Sequence, residues 1–233
     1  MTRYRRIGIL GGMSPESTAV YYEHITRTSA RRFGDHSFPE ILLWSVNFRE
    51  YVEWQRNGSW QEAARGMADS LERLRAAGAD FGIIATNTMH YVFEEVQRRV
   101  GMPLLSIVDA AAEAVRRSGI ETAGLLGTVF TMREAFFRQG LLKAGVRTLV
   151  PEERDQARIN EIIYGELCRG EIRPRSREVF LDIIGGLRER GARGIVLGCT
   201  EIPLLVRPED CDVPLFNTTT LHAEKALDYA VLP

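Results

Sequence analysis

The chain of 233 residues is poor in the features that mark secreted, membrane-spanning and nucleic-acid-binding proteins. Its three cysteines are too few, and odd in number, for a disulfide framework, so we expect a reducing, cytoplasmic setting. No apolar run approaches the ~18 residues that span a membrane, and the first residues lack the apolar core of a signal peptide. The 30 basic residues nearly balance the 31 acidic ones, so no net charge favours nucleic acid or a membrane as a partner.

The motifs of common cofactor sites are also missing. The four histidines are dispersed, and neither C-x-x-C nor H-E-x-x-H occurs, so no metal site is predicted. Pyridoxal phosphate needs a lysine for its Schiff base, and the two lysines, Lys143 and Lys225, lie in amphipathic helical patterns. The Gly11-Gly12 pair stands outside any G-x-G-x-x-G or Gly-Lys-Ser/Thr motif. The sequence therefore predicts chemistry without a cofactor.

The most informative stretch that is present is an apolar strand that ends in a cysteine, GIVLGCTEIP over residues 194–203. Ligands of open α/β sheets bind at the carboxyl ends of strands, where Cys199 would lie. There we expect a partly exposed thiol facing helix-terminal N–H groups, which favour the thiolate. The alternative is an inert, buried cysteine that fills space in the core. Glu201 and Pro203 suit the first turn of a following helix.

An internal echo predicts a duplicated α/β unit, because three segments recur in the same order: 6–12 with 122–128, 74–88 with 187–201, and 102–105 with 213–216. We expect two pseudosymmetric domains, each a mainly parallel sheet flanked by helices, with the active site in the cleft between them. The expected first domain is discontinuous, 1–117 plus 212–233, and the second covers 118–211. The echo maps Thr86 onto Cys199, on opposite walls of the cleft.

Polar residues follow other apolar strands as well. Ser14 is a good N-cap, with proline at the first helical position. Asn87 and Thr88 suit the binding of an α-carboxylate, or else ordinary turn chemistry. His90 is either an acid/base or a capping and packing residue. Thr128 is a candidate substrate hydroxyl.

The segment 53–60 is rich in polar and aromatic residues, and its composition favours a lid or turn. Arg49 and Gln55 carry donors that could contact a carboxylate. The alternative for Arg49 is surface solvation, with Trp54 and Trp60 packed underneath.

Taken together, the motifs resemble those of the aspartate/glutamate racemase family over nearly the whole chain. The resemblance rests on residues 8–18, 86–90, 126–128, 198–202 and 221–224. It implies two pseudosymmetric α/β domains, a homodimer, and racemisation of an acidic amino acid without a cofactor. In the family two cysteines, one per domain, flank the substrate Cα, and these fall on Thr86 and Cys199 here.

Threonine at position 86 departs from that pattern, although some relatives share it. A thiolate can remove an α-proton, whereas an alcohol can donate a proton but is a poor base. We expect Cys199 to act as base and acid on one face and Thr86 as donor on the other, with slow interconversion in both directions. Glu201 either orients a catalytic group or is a first-turn acid. The expected substrate contacts are Met13, Ser14, Gln55 (to the side-chain carboxylate), Asn87, Thr88, Thr128 and Thr200.

Three alternatives stay open. A one-cysteine relative decarboxylates substituted malonates, and there Cys199 would only protonate an enediolate. A second alternative is an amino-acid-binding protein without catalysis. In a third, the substrate is another small acid, since the superfamily also handles hydantoins and maleate.

Overall fold

The computed structural model describes residues 4–231 and divides the chain into two compact units. The first unit holds residues up to 107 and from 222 onward, and the second holds residues 108–221. Each unit contains a four-stranded parallel sheet, in which the strands, counted along that unit, stand in the order second, first, third, fourth. The orders correspond strand for strand, and the predicted α/β class with parallel sheets flanked by helices is confirmed.

The first unit begins with an alternation of strands and helices. Its strands are β1 (Ile7–Gly11), β2 (Ile41–Ser45), β3 (Phe81–Ile84) and β4 (Leu104–Leu105). Its helices are α1 (Pro15–Phe33), α2 (Phe48–Asn57), α3 (Trp60–Ala76) and α4 (Phe93–Arg99), the last preceded by a 3-10 turn over Thr88–Val92. Helix α5 (Ile107–Arg117) begins at residue 107, where the first segment of this unit ends, and its other residues belong to the second unit.

The second unit repeats that alternation. Its strands are β5 (Thr122–Gly127), β6 (Arg147–Leu149), β7 (Ile195–Gly198) and β8 (Leu215–Asn217). Its helices are α6 (Val129–Arg133), α7 (Ala135–Lys143), α8 (Glu153–Gly165), α9 (Pro174–Glu189) and α10 (Ile202–Leu205), with 3-10 turns over Leu167–Arg169 and Pro208–Asp210. Helix α11 (Thr218–Val231) starts in this unit and returns the chain to the first one.

The sheet of the first unit is covered on both faces. On one face Ile7, Ile9 and Phe81 pack with α1 and with Ala226 and Leu227 of α11. On the other face the core is completed by α3 and α4, whose buried residues include Ala63, Met67, Leu71, Leu74 and Val96. Strands buried on both faces read as continuous apolar runs, which explains why β1 and β3 could be recognised in the sequence.

The core of the second unit packs α8 and α9 against β5 and β7. Ile159 and Ile163 of α8 and Phe180 of α9 are almost completely buried beside Leu126 and Leu197 of the sheet. Cys168 and Cys211 are partly buried at the edge of this same cluster. This core holds the carboxyl ends of β5 and β7 in register, which matters for the residues that follow them.

Two expectations change. Of the segment 53–60, predicted as a lid or turn, residues 53–57 belong to the helix α2. The Asn47 side chain caps this helix by accepting from Arg49 N, and Gly58 ends it with φ +68°. The domain division also shifts, because β8 pairs with β7 and so belongs to the second unit. The expected boundaries at 117/118 and 211/212 are replaced by 107/108 and 221/222. Among residues 4–231, no helix is long and apolar enough to cross a membrane.

Candidate active site

The turn after β1 is organised by side chains that bind its backbone. Gly12 has φ +90°, and a Cβ there would lie 2.5 Å from the backbone of Val46, so only glycine fits. The Gly12 N–H donates to Oγ1 of Thr18 at 2.9 Å, and that hydroxyl donates to the Ser14 carbonyl at 2.6 Å. Ser14 caps α1 by accepting from Ser17 N, which confirms its predicted N-cap role. Met13 and Ser14 are both buried here.

Thr86 emerges beside this turn, at the end of the neighbouring strand β3. The register pairs Leu10 of β1 with Ile84 of β3, and Ala85 N donates to the Leu10 carbonyl at 2.8 Å. Thr86, Asn87 and Thr88 are all buried, with 7%, 3% and 7% of their surface exposed. The first unit therefore gathers five of the predicted site residues at one edge of its sheet: Met13, Ser14, Thr86, Asn87 and Thr88.

His90 lies one turn after Thr86 and uses both ring nitrogens on the backbone. Its Nδ1 is 2.7 Å from the Thr86 carbonyl oxygen, and its Nε2 accepts from the Ile107 N–H at 3.0 Å. Burial lowers the pKa of His90 to about 4, so the ring is neutral near pH 7. These contacts favour the capping and packing interpretation of His90 over that of an acid or base.

Gln55 lies on a helix rather than at a strand end. It is 7% exposed and sits one turn after Tyr51 on the inward face of α2. Burial raises the pKa of Tyr51 to about 12, and the Tyr51 ring packs edge-on against Trp54 at 4.9 Å. Arg49 is on the solvent side of this helix and pairs with Glu53, as the solvation alternative predicts.

In the second unit, two paired glycines end β5 and β7. The register joins Gly127 to Gly198, and a Cβ on Gly127 would lie 2.7 Å from the Gly198 carbonyl oxygen. This close approach brings the next residues, Thr128 and Cys199, out at the same edge of the sheet. Thr128 caps α6 by accepting from Thr131 N at 3.3 Å.

Cys199 is buried next to a carboxylate. Its Sγ donates to Oε2 of Glu201 at 3.1 Å, and Thr200 Oγ1 donates to the same oxygen at 2.8 Å. Cys199 retains 6% of its surface, Thr200 retains 7% and Glu201 retains 3%. The three residues form one hydrogen-bonded group. This contact favours the interpretation of Glu201 as a residue that orients a catalytic group over that of a first-turn acid.

The expectation of a partly exposed thiolate is wrong. Burial raises the pKa of the Cys199 thiol well above its usual value, and the Glu201 carboxylate raises it further; a backbone N–H of Glu201 opposes the rise. Glu201 is the N-cap of helix α10. Because this helix is only four residues long, its dipole does little to stabilise a thiolate. Cys199 is therefore a protonated thiol at neutral pH, with a proton acceptor already in contact.

A second buried histidine, His222, was not among the predicted site residues. Its Nδ1 lies 3.0 Å from the Tyr21 hydroxyl, and its Nε2 lies 2.9 Å from the Leu105 carbonyl oxygen. Burial, with a smaller effect from His90, lowers the pKa of His222 to about 3. Its ring meets that of His90 edge-on at 5.9 Å. The only sequence signal was its place in the Leu221–Glu224 motif.

The predicted residues thus form two groups, one in each unit. The donors in both groups are hydroxyls, amides and backbone N–H groups, and the hydrogen-bonded thiol and carboxylate of Cys199 and Glu201 belong to the second unit. Within residues 4–231, no cluster of three or more side chains suited to a metal ion is found. The arrangement supplies one thiol with an adjacent base and several neutral hydrogen-bond donors.

Comparison with known proteins finds amino-acid racemases. The sequence model described as Asp/Glu/Hydantoin racemase matches residues 10–226. The broad-specificity amino-acid racemase RacX of Bacillus subtilis is 27% identical over 224 residues, covering 95% of this chain and 96% of RacX. A Yersinia pestis structure, provisionally described as an Asp/Glu racemase, aligns with a TM-score of 0.91 and 41% identity, covering 98% of this chain and 100% of that one. An aspartate racemase homologue of Pyrococcus horikoshii aligns with a TM-score of 0.85 and 34% identity at the same coverage.

Proposed function

The chain belongs to the Asp/Glu/Hydantoin racemase family, and we propose that it interconverts the enantiomers of aspartate, glutamate or both without a cofactor. The observation that carries the proposal is the buried thiol of Cys199 in contact with the carboxylate of Glu201. Racemisation requires that a proton leave one face of Cα and that another arrive on the opposite face. A thiol with a proton acceptor 3.1 Å away supplies the base for the first step.

The first half of the reaction begins with proton transfer from Sγ of Cys199 to Glu201. The thiolate then takes the α-proton, and the electron pair of the Cα–H bond becomes the carbanion. Because the thiolate is buried, it is poorly solvated and correspondingly basic. The Thr200 hydroxyl, which donates to the same carboxylate oxygen, keeps that carboxylate pointed at the sulfur.

In the second half, the Thr86 hydroxyl donates its proton to the opposite face of the carbanion. The alkoxide that remains on Thr86 regains a proton from water, and the proton held by Glu201 returns to water. An alkoxide is costly to form, so this step is slow. Since the two enantiomers have equal free energy, the slow step limits interconversion in both directions.

The remaining residues of the two groups are proposed as substrate contacts. The α-carboxylate binds the hydroxyl, amide and backbone N–H donors of Ser14, Asn87, Thr88, Thr128 and Thr200, which also stabilise the negative charge of the carbanion. Met13 lines the same region. The amide of Gln55 contacts the side-chain carboxylate, and this contact selects acidic substrates.

We also propose a homodimer that forms through the edge strand β2. Strand β2 ends its sheet and exposes Leu43 by 49% and Trp44 by 38%. Tyr22 of α1 and Phe38, which precedes β2 in sequence, are 55% and 42% exposed. An apolar edge strand can pair with another chain, and a second copy pairs with it symmetrically.

The cytoplasmic location stays a prediction.

Proton NMR in D2O tests the proposed reaction. The purified protein is incubated with L-aspartate, D-aspartate, L-glutamate and D-glutamate, and loss of the α-proton signal is followed beside chiral analysis of the product. We expect α-deuteration in the wild type and its loss in Cys199→Ala. Cys211→Ala is the matched control, because Cys211 borders the same core cluster but lies outside the Cys199–Glu201 contact. Undiminished deuteration in Cys199→Ala would rule the mechanism out.

One alternative is favoured by a specific observation, the threonine at position 86. With a single cysteine, the site resembles that of a decarboxylase of substituted malonates, in which Cys199 protonates an enediolate. Incubation with a substituted malonate separates the two: carbon dioxide release without α-deuteration of amino acids would select the decarboxylase. Tight binding of an amino acid without deuteration would select a binding protein.

A further inference from the structure

We propose that His90 is a positioning residue for the reaction, because its ring holds the carbonyl of Thr86 and thereby fixes the direction of the Thr86 hydroxyl. This inference rests on the proposed function, in which that hydroxyl delivers a proton to Cα. It assigns His90 no proton transfer of its own.

The backbone of Thr86 is held at both of its polar groups. Its N–H donates to the Ile84 carbonyl at 2.9 Å, and its own carbonyl accepts from Nδ1 of His90 at 2.7 Å. The hydrogen bonds found for Thr86 among the described residues all use its backbone. The φ and ψ of Thr86 therefore set the direction of its Cα–Cβ bond, and the ring of His90 is one of the two groups that fix them. The branched Cβ of threonine then restricts the rotation that places the hydroxyl.

The contacts of His90 also decide which ring nitrogen carries the proton. The N–H of Ile107 donates to Nε2 at 3.0 Å, so Nε2 must be the unprotonated acceptor. Nδ1 then carries the hydrogen that reaches the Thr86 carbonyl. A second proton on this ring would place two N–H groups against each other, and burial, which holds the pKa of His90 at about 4, opposes it as well.

Ring packing prevents the imidazole from turning away. Phe93 stacks on it with a centroid distance of 5.0 Å and an interplanar angle of 5°. His222 meets it edge-on at 5.9 Å and is itself anchored to Tyr21 and the Leu105 carbonyl. We call the hydrogen bond from His90 to the Thr86 carbonyl the clamp. Through His222 and its partners, the clamp is connected to α1, β4 and α11 by buried groups.

A clamp of this kind matters because proton transfer depends steeply on geometry. Misplacement of a reacting group by 1 Å can cost about 100-fold in rate. The effect should fall on the Thr86 step alone, since the sulfur, the carboxylate and the hydroxyl of residues 199–201 are bonded to each other rather than to His90.

Two variants separate the two hydrogen bonds of the ring. In His90→Asn the amide nitrogen takes the place of Nδ1 and still donates to the Thr86 carbonyl, but the Ile107 N–H loses its acceptor. In His90→Gln the amide oxygen takes the place of Nε2 and still accepts from Ile107, but the clamp on Thr86 is lost. Both variants replace an imidazole by an amide, so loss of ring packing is common to them.

The readout compares racemisation with α-deuteration of the enantiomer whose α-proton faces Cys199. Racemisation needs both faces of Cα, whereas this deuteration needs only the cysteine face. We expect His90→Gln to lower the ratio of racemisation to deuteration by about tenfold or more, and His90→Asn to stay within about threefold of wild type. An unchanged ratio in His90→Gln, or a parallel fall of both rates in both variants, would overturn the positioning role.

The wild type supplies two independent checks. If it shows neither racemisation nor deuteration, the proposed function fails and the role of His90 falls with it; if it shows both, only the variant ratios bear on His90. Nitrogen-15 NMR of the wild type reports the tautomer directly and does not depend on variants that fold. A His90 ring protonated on Nε2 rather than Nδ1 would overturn the clamp.

Discussion

The sulfur of Cys199 and the Oε2 atom of Glu201 lie 3.1 Å apart, and the thiol donates its hydrogen to that oxygen. The same oxygen accepts from the Thr200 hydroxyl at 2.8 Å. All three residues are buried, so water competes little for these bonds. The thiol therefore rests in its protonated form with its proton acceptor already placed.

Replacing this carboxylate should slow the reaction most at neutral pH. In Glu201→Gln the amide can accept a hydrogen bond from the thiol but cannot take its proton, so the thiolate must form by loss of its proton to solvent. We expect α-deuteration at pH 7 to fall by about 100-fold, the lower end of the usual effect of a general base. The rate should recover in part toward pH 10, where hydroxide replaces the missing base.

Glu201→Asp provides the matched control for charge. It keeps a carboxylate but withdraws it by one methylene, so its rate at pH 7 should lie between those of Glu201→Gln and the wild type. Equal rates for Glu201→Gln and the wild type at pH 7 would contradict the role of this side chain as proton acceptor.

The two buried histidines should make the folded protein sensitive to mild acid. Their folded pKa values, about 4 for His90 and about 3 for His222, lie below the ordinary value of 6.5 for a histidine. Between pH 6.5 and these folded pKa values, the unfolded chain binds more protons than the folded one. The free energy of unfolding is therefore highest above pH 6.5 and falls as the pH decreases. Each histidine contributes a slope of up to about 1.4 kcal/mol per pH unit.

The variant His222→Gln tests this dependence. Its amide nitrogen can still donate to the Leu105 carbonyl, whereas the Tyr21 hydroxyl loses its acceptor, so a cost of about 1–3 kcal/mol is expected at pH 7. The slope between pH 6 and pH 5 should nevertheless fall by about 1.4 kcal/mol per unit. Urea unfolding at several pH values measures both quantities, and an unchanged slope would argue against a neutral, buried His222.

The glycine pair at the ends of β5 and β7 should tolerate no side chain. In Gly127→Ala the new methyl group would lie 2.7 Å from the Gly198 carbonyl oxygen, so the strands must separate where Thr128 and Cys199 begin. We expect a loss of about 1–3 kcal/mol in stability together with a lower rate of α-deuteration.

Gly185→Ala makes the same chemical change in open space. Gly185 lies within α9, and a Cβ there has no neighbour within 4 Å. This substitution should raise the stability by about 0.5–1 kcal/mol, because alanine favours the helix, and leave the rate unchanged. Thermal unfolding and the deuteration assay compare the pair, and equal stability of the two variants would contradict the close approach of the strands.

A charge on the edge strand should separate the proposed dimer. In Leu43→Lys an ammonium group replaces an apolar side chain that is 49% exposed, and burying it against a second copy would be unfavourable. We expect analytical ultracentrifugation to give a dimer for the wild type and a monomer for the variant. Leu142→Lys is the control, since Leu142 is 66% exposed on α7. A monomeric wild type would contradict the proposed interface.

The sequence was informative wherever a local pattern decides structure. Apolar runs such as residues 195–197, followed by glycine and a polar residue, correctly indicated strands whose ends carry Thr86, Thr128 and Cys199. The helix α2 was missed because its aromatic and charged residues suggested a lid. Its Asn47 cap, its Gly58 terminus and the spacing of Tyr51 from Gln55 were the overlooked signals.

Properties that depend on distant residues could not be predicted in the same way. The state of Cys199 depends on how deeply the folded chain buries it beside Glu201, and the residue types alone allowed either a thiol or a thiolate. The tautomer of His90 depends on Ile107, which is 17 residues away in sequence. That of His222 depends on Leu105, which is 117 residues away. The internal echo correctly matched β8 with β4, but the expected boundaries placed β8 and α5 in the first unit, whereas β8 and nearly all of α5 belong to the second.

The return of α11 to the first unit has a consequence for synthesis on the ribosome. Ala223, Ala226, Leu227 and Ala230 complete the core around β1 and β3, so the first unit lacks part of its interior until the end of the chain has been translated. The second unit is continuous over residues 108–221 and becomes available as a whole earlier. Although domains generally fold in the order in which they emerge, here the half that is translated later is the first to have all of its parts.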